Sequence, residues 1–280
     1  MKLLRYGPKG QEKPGCLDAE GNIRDLSAAT ADFFAEGVSL ATLERLKELD
    51  ITALPLVEGS PRIGSCLADV PNFHCVGLNY AKHAAESKMA IPTEPILFSK
   101  ATSAMSGPFD TVLIPRDSIK TDWEVELGVV IGKAASYVSE ADALSYVSGY
   151  CTVNDVSERE FQTERGGQWV KGKSAPTFGP VGPYLVTADE IPDPQNLNLS
   201  LRLNGELLQD SSTSDMVFGV AEIVSYMSRF MELRPGDIIA TGTPSGVGAG
   251  LKPQRFLKAG DEMELQVEGL GIQKQTVANA

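Results

Sequence analysis

Histidine is scarce in this chain of 280 residues, and its cysteines lack the spacing of a metal site. The only histidines are His74 and His83, which excludes a zinc site built from three histidines. The four cysteines form no CxxC pair. We therefore expect them to be small core residues of a protein in a reducing compartment.

Positive charge is also scarce, since 25 Lys and Arg against 37 Asp and Glu give a formal net charge of −12. This balance argues against nucleic acid or an anionic membrane as the main ligand, because both require a basic surface. No apolar run approaches the roughly 20 residues that cross a bilayer, and Gly7-Pro8 interrupts the N-terminus before a signal-peptide core. We expect a cytoplasmic protein without nucleic-acid or membrane partners, whereas a small anionic ligand remains compatible.

The chain contains no GxGxxG and no sustained alternation of strands and helices, which argues against a doubly wound nucleotide-binding sheet. Residues 1–70 instead resemble a small α/β unit, and residues 71–280 a larger, mostly β body. The predicted fold class is α+β, mostly β. The short strands expected in the body, separated by glycine and proline, are residues 112–114, 124–131, 197–203, 237–241 and 262–267.

Two helices and one hairpin can be placed from the pattern. Leucines at 40, 43, 46 and 49 recur at helical spacing, and an apolar stripe indicates a second helix over residues 214–230. Glu20-Gly21 lies between two short apolar segments and predicts a hairpin turn.

The most informative strand carries two acidic residues. If residues 124–131 form a strand, Glu124 and Glu126 lie side by side on one face, about 7 Å apart. Asp155 follows another strand-like stretch and supplies a third carboxylate. An all-oxygen set suits Mg²⁺, Mn²⁺ or Ca²⁺. The alternatives are two solvated glutamates on an outer face and, for Asp155, the cap of a helix over residues 157–162.

A possible general base is His83, which shares a helical face with Glu86 three residues later. A carboxylate in that position orients the imidazole and raises its basicity, as activation of water requires. The alternative is an ordinary surface His–Glu pair. His74 has no such neighbour and is interpreted as structural.

Two further segments have groups that could bind an anion. Lys173 lies in a glycine-containing loop and could hold a carboxylate or a developing enolate, although a solvated lysine is the ordinary case. Residues 241–248 (TGTPSGVG) offer hydroxyls and open backbone amides, as anion-binding nests do. A structural glycine-rich turn explains the same residues nearly as well.

In this order and spacing, the segments resemble the fumarylacetoacetate hydrolase family, from about residue 76 to the C-terminus. The resemblance implies that His83 and Glu86 are a catalytic pair on a lid over residues 83–95, and that Lys173 assists them. It further implies three metal ligands and four substrate contacts: Glu124, Glu126 and Asp155 for the metal, and Tyr80, Arg159, Gln162 and Thr243 for the substrate. One departure is Pro176, where similar proteins often carry aspartate.

The same resemblance implies a β-roll body with a small N-terminal domain, one Mg²⁺ or Mn²⁺ per chain, and a homodimer. The substrate would be a small 2-oxo acid with a second carbonyl, hydrolysed at its C3–C4 bond to pyruvate and a carboxylic acid. Within the family, the chain resembles the 2,4-diketo-3-deoxy-sugar-acid hydrolases. Oxaloacetate decarboxylase, ureidoglycolate lyase and a non-catalytic oxo-acid-binding protein are the alternatives.

Overall fold

The computed structural model describes residues 1–280 and confirms an α+β, mostly β fold. The strands are β1 Lys2–Tyr6, β2 Lys13–Leu17, β3 Ile23–Asp25, β4 Phe73–Gly77, β5 Ile96–Lys100, β6 Met105–Ser106, β7 Val112–Ile114, β8 Thr121–Asp122, β9 Val125–Ile131, β10 Val147–Asn154, β11 Ser157–Glu158, β12 Gly179–Pro180, β13 Leu185–Thr187, β14 Asn198–Leu203, β15 Glu206–Ser212, β16 Ile238–Ala240, β17 Glu262–Val267 and β18 Ile272–Asn279. The helices are α1 Leu40–Lys47, α2 Ala81–Glu86, α3 Arg159–Thr163, α4 Val170–Lys173 and α5 Val220–Met227. No helix is long and apolar enough to span a membrane.

Two large sheets organise the molecule. One has nine strands in the order β3-β2-β1-β13-β10-β9-β16-β4-β5, and the other has five in the order β15-β14-β17-β18-β7. The central strand β9 is buried on both faces, with Leu127 and Val129 in a core of 35 residues shared with β14 and β17. Val130, on its opposite face, joins a second core with Leu43 and Leu46 of α1. The site therefore starts from a strand that is fixed on both sides.

The N-terminal segment contributes directly to the large sheet. The predicted hairpin is confirmed as β2 and β3, and β1 pairs with β13 through Leu3 and Leu185. Ser39 caps α1 by accepting the backbone N–H of Thr42, as expected of a serine before a helix. The nine-stranded sheet thus crosses residue 70, where the sequence predicts a domain boundary.

The predicted helix over residues 214–230 is shorter in the structure. Residues 213–215 form a 3₁₀ turn, and α5 begins at Val220 with Gly219 as its N-cap. The intervening segment is diverted to Asn79, whose backbone carbonyl and side-chain Oδ1 accept the N–H groups of Val217 and Phe218. Asn79 lies just before α2, so this diversion helps to position that helix.

Candidate active site

Three buried carboxylates converge at one end of β9. Glu126 lies on this strand and Glu124 immediately precedes it, while Asp155 follows the adjacent antiparallel strand β10 and its N–H donates to the Glu124 carbonyl at 2.9 Å. Their exposed fractions are 4%, 2% and 0%, and one oxygen from each lies within 4.8 Å of the others. The alternative of solvated glutamates is therefore wrong. The alternative helix cap for Asp155 is also wrong, because Glu158 caps α3.

The carboxylates fit a divalent cation. Burial, together with the nearby charges of Asp155 and Glu124, raises the pKa of Glu126 well above its ordinary value. Its only hydrogen-bond donor is the N–H of Gly242, at 2.8 Å, so its repulsion from the other two carboxylates is only partly offset. Hard oxygen ligands of this kind are those of Mg²⁺ and Mn²⁺. The residues could therefore hold one such ion.

Three cationic side chains surround the carboxylates. Lys173, buried at the end of α4, donates to Glu124 at 2.8 Å and to Asp155 at 2.7 Å. Arg159 pairs with Glu124 at 2.7 Å. Burial alone would raise the pKa of Glu124, but Lys173 and Arg159 outweigh it and hold that pKa well below its usual range. The solvated lysine considered for Lys173 is thus wrong.

The third cation, Lys100, was not expected as a site residue. It lies at the end of β5, is buried, and donates to Asp155 and to the Val156 carbonyl. Burial lowers its pKa, although the Asp155 charge opposes that shift. A single lysine in a short strand has no sequence signal that distinguishes it from a solvated one, which explains why sequence reasoning missed it.

His83 and Glu86 form the expected pair on α2. His83 Nδ1 lies 2.8 Å from Glu86, and the residue is only 7% exposed, so the alternative of an ordinary surface pair is wrong. With Glu86 accepting at Nδ1, the Nε2 atom of the neutral ring is left as the acceptor, as a general base requires. Glu86 also accepts the N–H of Gly246 at 3.0 Å, which ties the lid helix to the glycine-rich loop.

The backbone amides of the glycine-rich loop, residues 241–248, donate hydrogen bonds mainly to carboxylates of the protein itself. Its amides at Gly242, Gly246 and Gly248 donate to Glu126, Glu86 and a third buried carboxylate, respectively. Gly246 has φ +103°, and a Cβ there would lie 1.9 Å from the Leu208 carbonyl oxygen, so only glycine fits. The loop therefore connects α2 with β9, and these amides are already occupied.

One cavity of about 400 Å³ joins these groups. Its lining includes most of the predicted site residues: His83, Glu86, Glu124, Glu126, Arg159, Gln162, Lys173 and Thr243. Asp155 lies beneath this lining, where Lys173 and Lys100 contact it. Tyr80 instead lines a separate cavity of about 90 Å³, and its buried hydroxyl has no hydrogen-bond partner. The lining side chains that sequence reasoning missed include Phe98, Lys120, Trp169 and Gln254.

Comparison with known proteins gives concordant results. Residues 72–278 match the family model described as fumarylacetoacetate (FAA) hydrolase C-terminal. A protein of Burkholderia ambifaria, provisionally named a hydrolase, is 59% identical over 281 aligned residues, with 100% of each chain covered. The solved fumarylacetoacetate hydrolase of Exiguobacterium antarcticum is 35% identical with a TM-score of 0.88, again covering 100% of each chain. The maleylpyruvate hydrolase of Sphingobium sp. SYK-6, solved with manganese(II) and pyruvate, is 27% identical with a TM-score of 0.83 and the same coverage.

Proposed function

Since the chain belongs to the fumarylacetoacetate hydrolase family, we propose that it hydrolyses the C3–C4 bond of an acylpyruvate and releases pyruvate. The observation that carries the proposal is the placement of His83 and Glu86 in the same cavity as the carboxylate cluster. A binding protein would have no use for a water-activating base. The pyruvate bound to the solved maleylpyruvate hydrolase supports the same class of product.

The cofactor in this proposal is one Mg²⁺ or Mn²⁺ per chain, held by Glu124, Glu126 and Asp155. Bound there, the ion would act as a Lewis acid toward the negative charge that develops on a 2-oxo acid. Lys173 and Arg159 keep Glu124 in its charged form and orient it. The manganese in the related hydrolase supports an ion at this site.

His83 and the neighbouring cations account for the proposed steps. Nε2 of His83 removes a proton from water, and the resulting hydroxide adds to the C4 carbonyl, while Glu86 stabilises the imidazolium at Nδ1. The C3–C4 bond then breaks, and its electron pair passes to the pyruvate enolate, which takes up at C3 the proton that His83 removed from water. Lys173, with Gln162 and Thr243 on the cavity wall, would help to bind the substrate's oxygen atoms.

We further propose a hydroxylated acyl group, as in a 2,4-diketo-3-deoxy sugar acid. The cavity wall includes an ion pair between Lys120 and Glu164 at 2.5 Å, with Thr163 and Gln254 nearby on the same lining. Such neighbouring donors and acceptors suit hydroxyl groups, which need both. A purely aliphatic acyl group would form no hydrogen bond with them.

We also propose that the enzyme is a cytoplasmic homodimer. It follows from the family resemblance, and the second sheet edge, β5, leaves a strand unpaired beside the lid. Sedimentation equilibrium would test it, with a mass of about twice the 29.9 kDa chain as the expected result.

Pyruvate release from a panel of acylpyruvates and diketo-deoxy sugar acids tests the reaction, with Mg²⁺ present and again with EDTA. We expect EDTA-sensitive pyruvate formation, fastest with a hydroxylated acyl group. Oxaloacetate and ureidoglycolate belong in the same panel. Carbon dioxide from oxaloacetate that survives loss of His83 would identify a decarboxylase, and glyoxylate from ureidoglycolate a lyase. Turnover of no compound would contradict the enzymatic proposal.

A further inference from the structure

Arg159 has one nitrogen without a partner. Its Nε donates to Asp122 at 2.8 Å, and Nη1 contacts Glu124 at 2.7 Å and Gln162 at 3.1 Å. Nη2 is buried and has no hydrogen-bond partner, and the residue lines the main cavity. A buried guanidinium nitrogen without an acceptor is costly, so this atom indicates that a ligand supplies the acceptor.

Asp122, in contrast to Arg159, has no free hydrogen-bonding site, because both of its carboxylate oxygens accept hydrogen bonds from the protein. The residue is 0% exposed and ends β8, immediately before the strand that carries the carboxylates. Its Oδ1 accepts the N–H groups of Trp123 at 2.9 Å and Gly248 at 2.6 Å. Its Oδ2 accepts the N–H of Ala249 at 3.0 Å besides Nε of Arg159. Three backbone donors therefore fix this carboxylate.

The close approach at Gly248 shows how tightly this arrangement is built. A Cβ at that position would lie 1.9 Å from the Arg255 carbonyl oxygen and 2.8 Å from Oδ1 of Asp122. Only glycine lets the backbone approach both groups. A long and flexible arginine is consequently held by a carboxylate that cannot itself move, which limits the rotamers open to Arg159.

We propose that Asp122 is a positioning residue that aims Nη2 of Arg159 at the carboxylate of the bound 2-oxo acid. The inference rests on the proposed function for the identity of the ligand. Without Asp122, the guanidinium would keep only the contacts of Nη1 with Glu124 and Gln162 and could turn about that nitrogen. Asp122 acts on the ligand through Arg159 alone, because its oxygens are all engaged with the protein.

A double-mutant cycle on pyruvate binding tests this mechanism. Dissociation constants for pyruvate, with Mg²⁺ present, are measured by calorimetry for the wild type, Asp122→Asn, Arg159→Gln and the double variant. We expect each single substitution to weaken binding by about tenfold or more, since each removes charge-assisted hydrogen bonds. The double variant should match Arg159→Gln, because the two residues act in series. Multiplicative losses in the double variant would overturn the proposal.

A spectroscopic readout separates positioning from a general structural effect. In ¹⁵N-labelled protein, the Nε–H resonance of Arg159, assigned from Arg159→Gln, should shift and exchange faster with water in Asp122→Asn. An unchanged resonance would overturn the proposal. Wild-type protein that binds no pyruvate would instead count against the proposed function, while this resonance still reports on the Asp122 contact.

Asp18→Asn is the matched control, because Asp18 also accepts Nε of an arginine, Arg24, at 2.8 Å, and lies outside the cavity. It should leave pyruvate affinity unchanged, and an equal loss there would point to a general effect of removing a buried carboxylate. If Asp122→Asn does not fold, Gly248→Ala replaces it, because the added Cβ displaces Oδ1 of Asp122. That variant should shift the Arg159 resonance and weaken pyruvate binding together, and a change in neither would overturn the proposal.

Discussion

At the residue scale, the sharpest prediction concerns the imidazole. His83→Ala should lower kcat by about 10² or more, because it removes the only imidazole on the cavity wall and with it the proposed base. Metal affinity should stay near the wild-type value, since His83 lies outside the carboxylate cluster. Steady-state pyruvate release and calorimetry with Mn²⁺ measure the two effects.

The chain supplies its own control for this substitution. His74, the only other histidine, is buried in β4 and absent from the cavity lining. His74→Gln should therefore leave kcat within about twofold of the wild type, since surface and core changes away from the site act mainly on stability. Unchanged turnover in His83→Ala would contradict the assignment of the base.

A second prediction at this scale concerns Glu126. In metal-free protein Glu126→Gln should raise the melting temperature, because it removes repulsion between buried carboxylates while the Gly242 contact can persist. Added Mn²⁺ should stabilise the wild type by mass action and leave the variant unchanged. Thermal melts with and without Mn²⁺ measure both effects, and equal stabilisation of the two proteins would contradict the ligand set.

At the element scale, the glycine-rich loop connects the parts of the site. Gly246→Ala should force the loop away from the Leu208 carbonyl oxygen and release Glu86, so kcat should fall toward that of Glu86→Gln. Gly260→Ala is the control, since that residue also has positive φ but no atom within 4 Å of an added Cβ. Both variants carry the same backbone strain, so only a selective loss of activity in Gly246→Ala supports the connection.

Comparing the predicted with the observed elements shows which features the sequence reveals and which it does not. The apolar pattern of residues 124–131 predicts the strand that positions Glu124 and Glu126, and the observed strand β9 covers Val125–Ile131 and is buried throughout. The overlong helix over residues 214–230 has a different cause, since apolar spacing does not reveal that Asn79 recruits the backbone just before α5. Lys100 and the Asp122–Arg159 contact were missed because both depend on strands that meet only in three dimensions.

At the scale of the whole molecule, the first 70 residues are tied to the body by more than the shared sheet. Arg62 forms a two-point contact with Asp110 at 2.9 and 2.6 Å and reaches Glu12 at 2.7 Å. Burial alone would raise the pKa of Asp110 and of Glu12, but hydrogen bonds from Arg62 outweigh it and hold both below their ordinary values. The cluster therefore couples the N-terminal segment to the body through charge.

The lowered pKa values of Asp110 and Glu12 predict how stability depends on pH. Carboxyls whose pKa is lowered by folding stabilise the protein above their unfolded pKa of about 4, and lose that contribution as pH falls through the folded value. Arg62→Met should cost about 1 to 3 kcal/mol at pH 7, because it removes charged hydrogen bonds from two carboxylates. The difference from the wild type should shrink as the pH falls below about 4, because the unfolded carboxyls are then protonated first. Urea unfolding at pH 7, 5 and 3 measures it, with Arg234→Met, at an exposed ion pair, as a control that should change little at any pH. A difference that stays constant down to pH 3 would show that Arg62 contributes by packing alone.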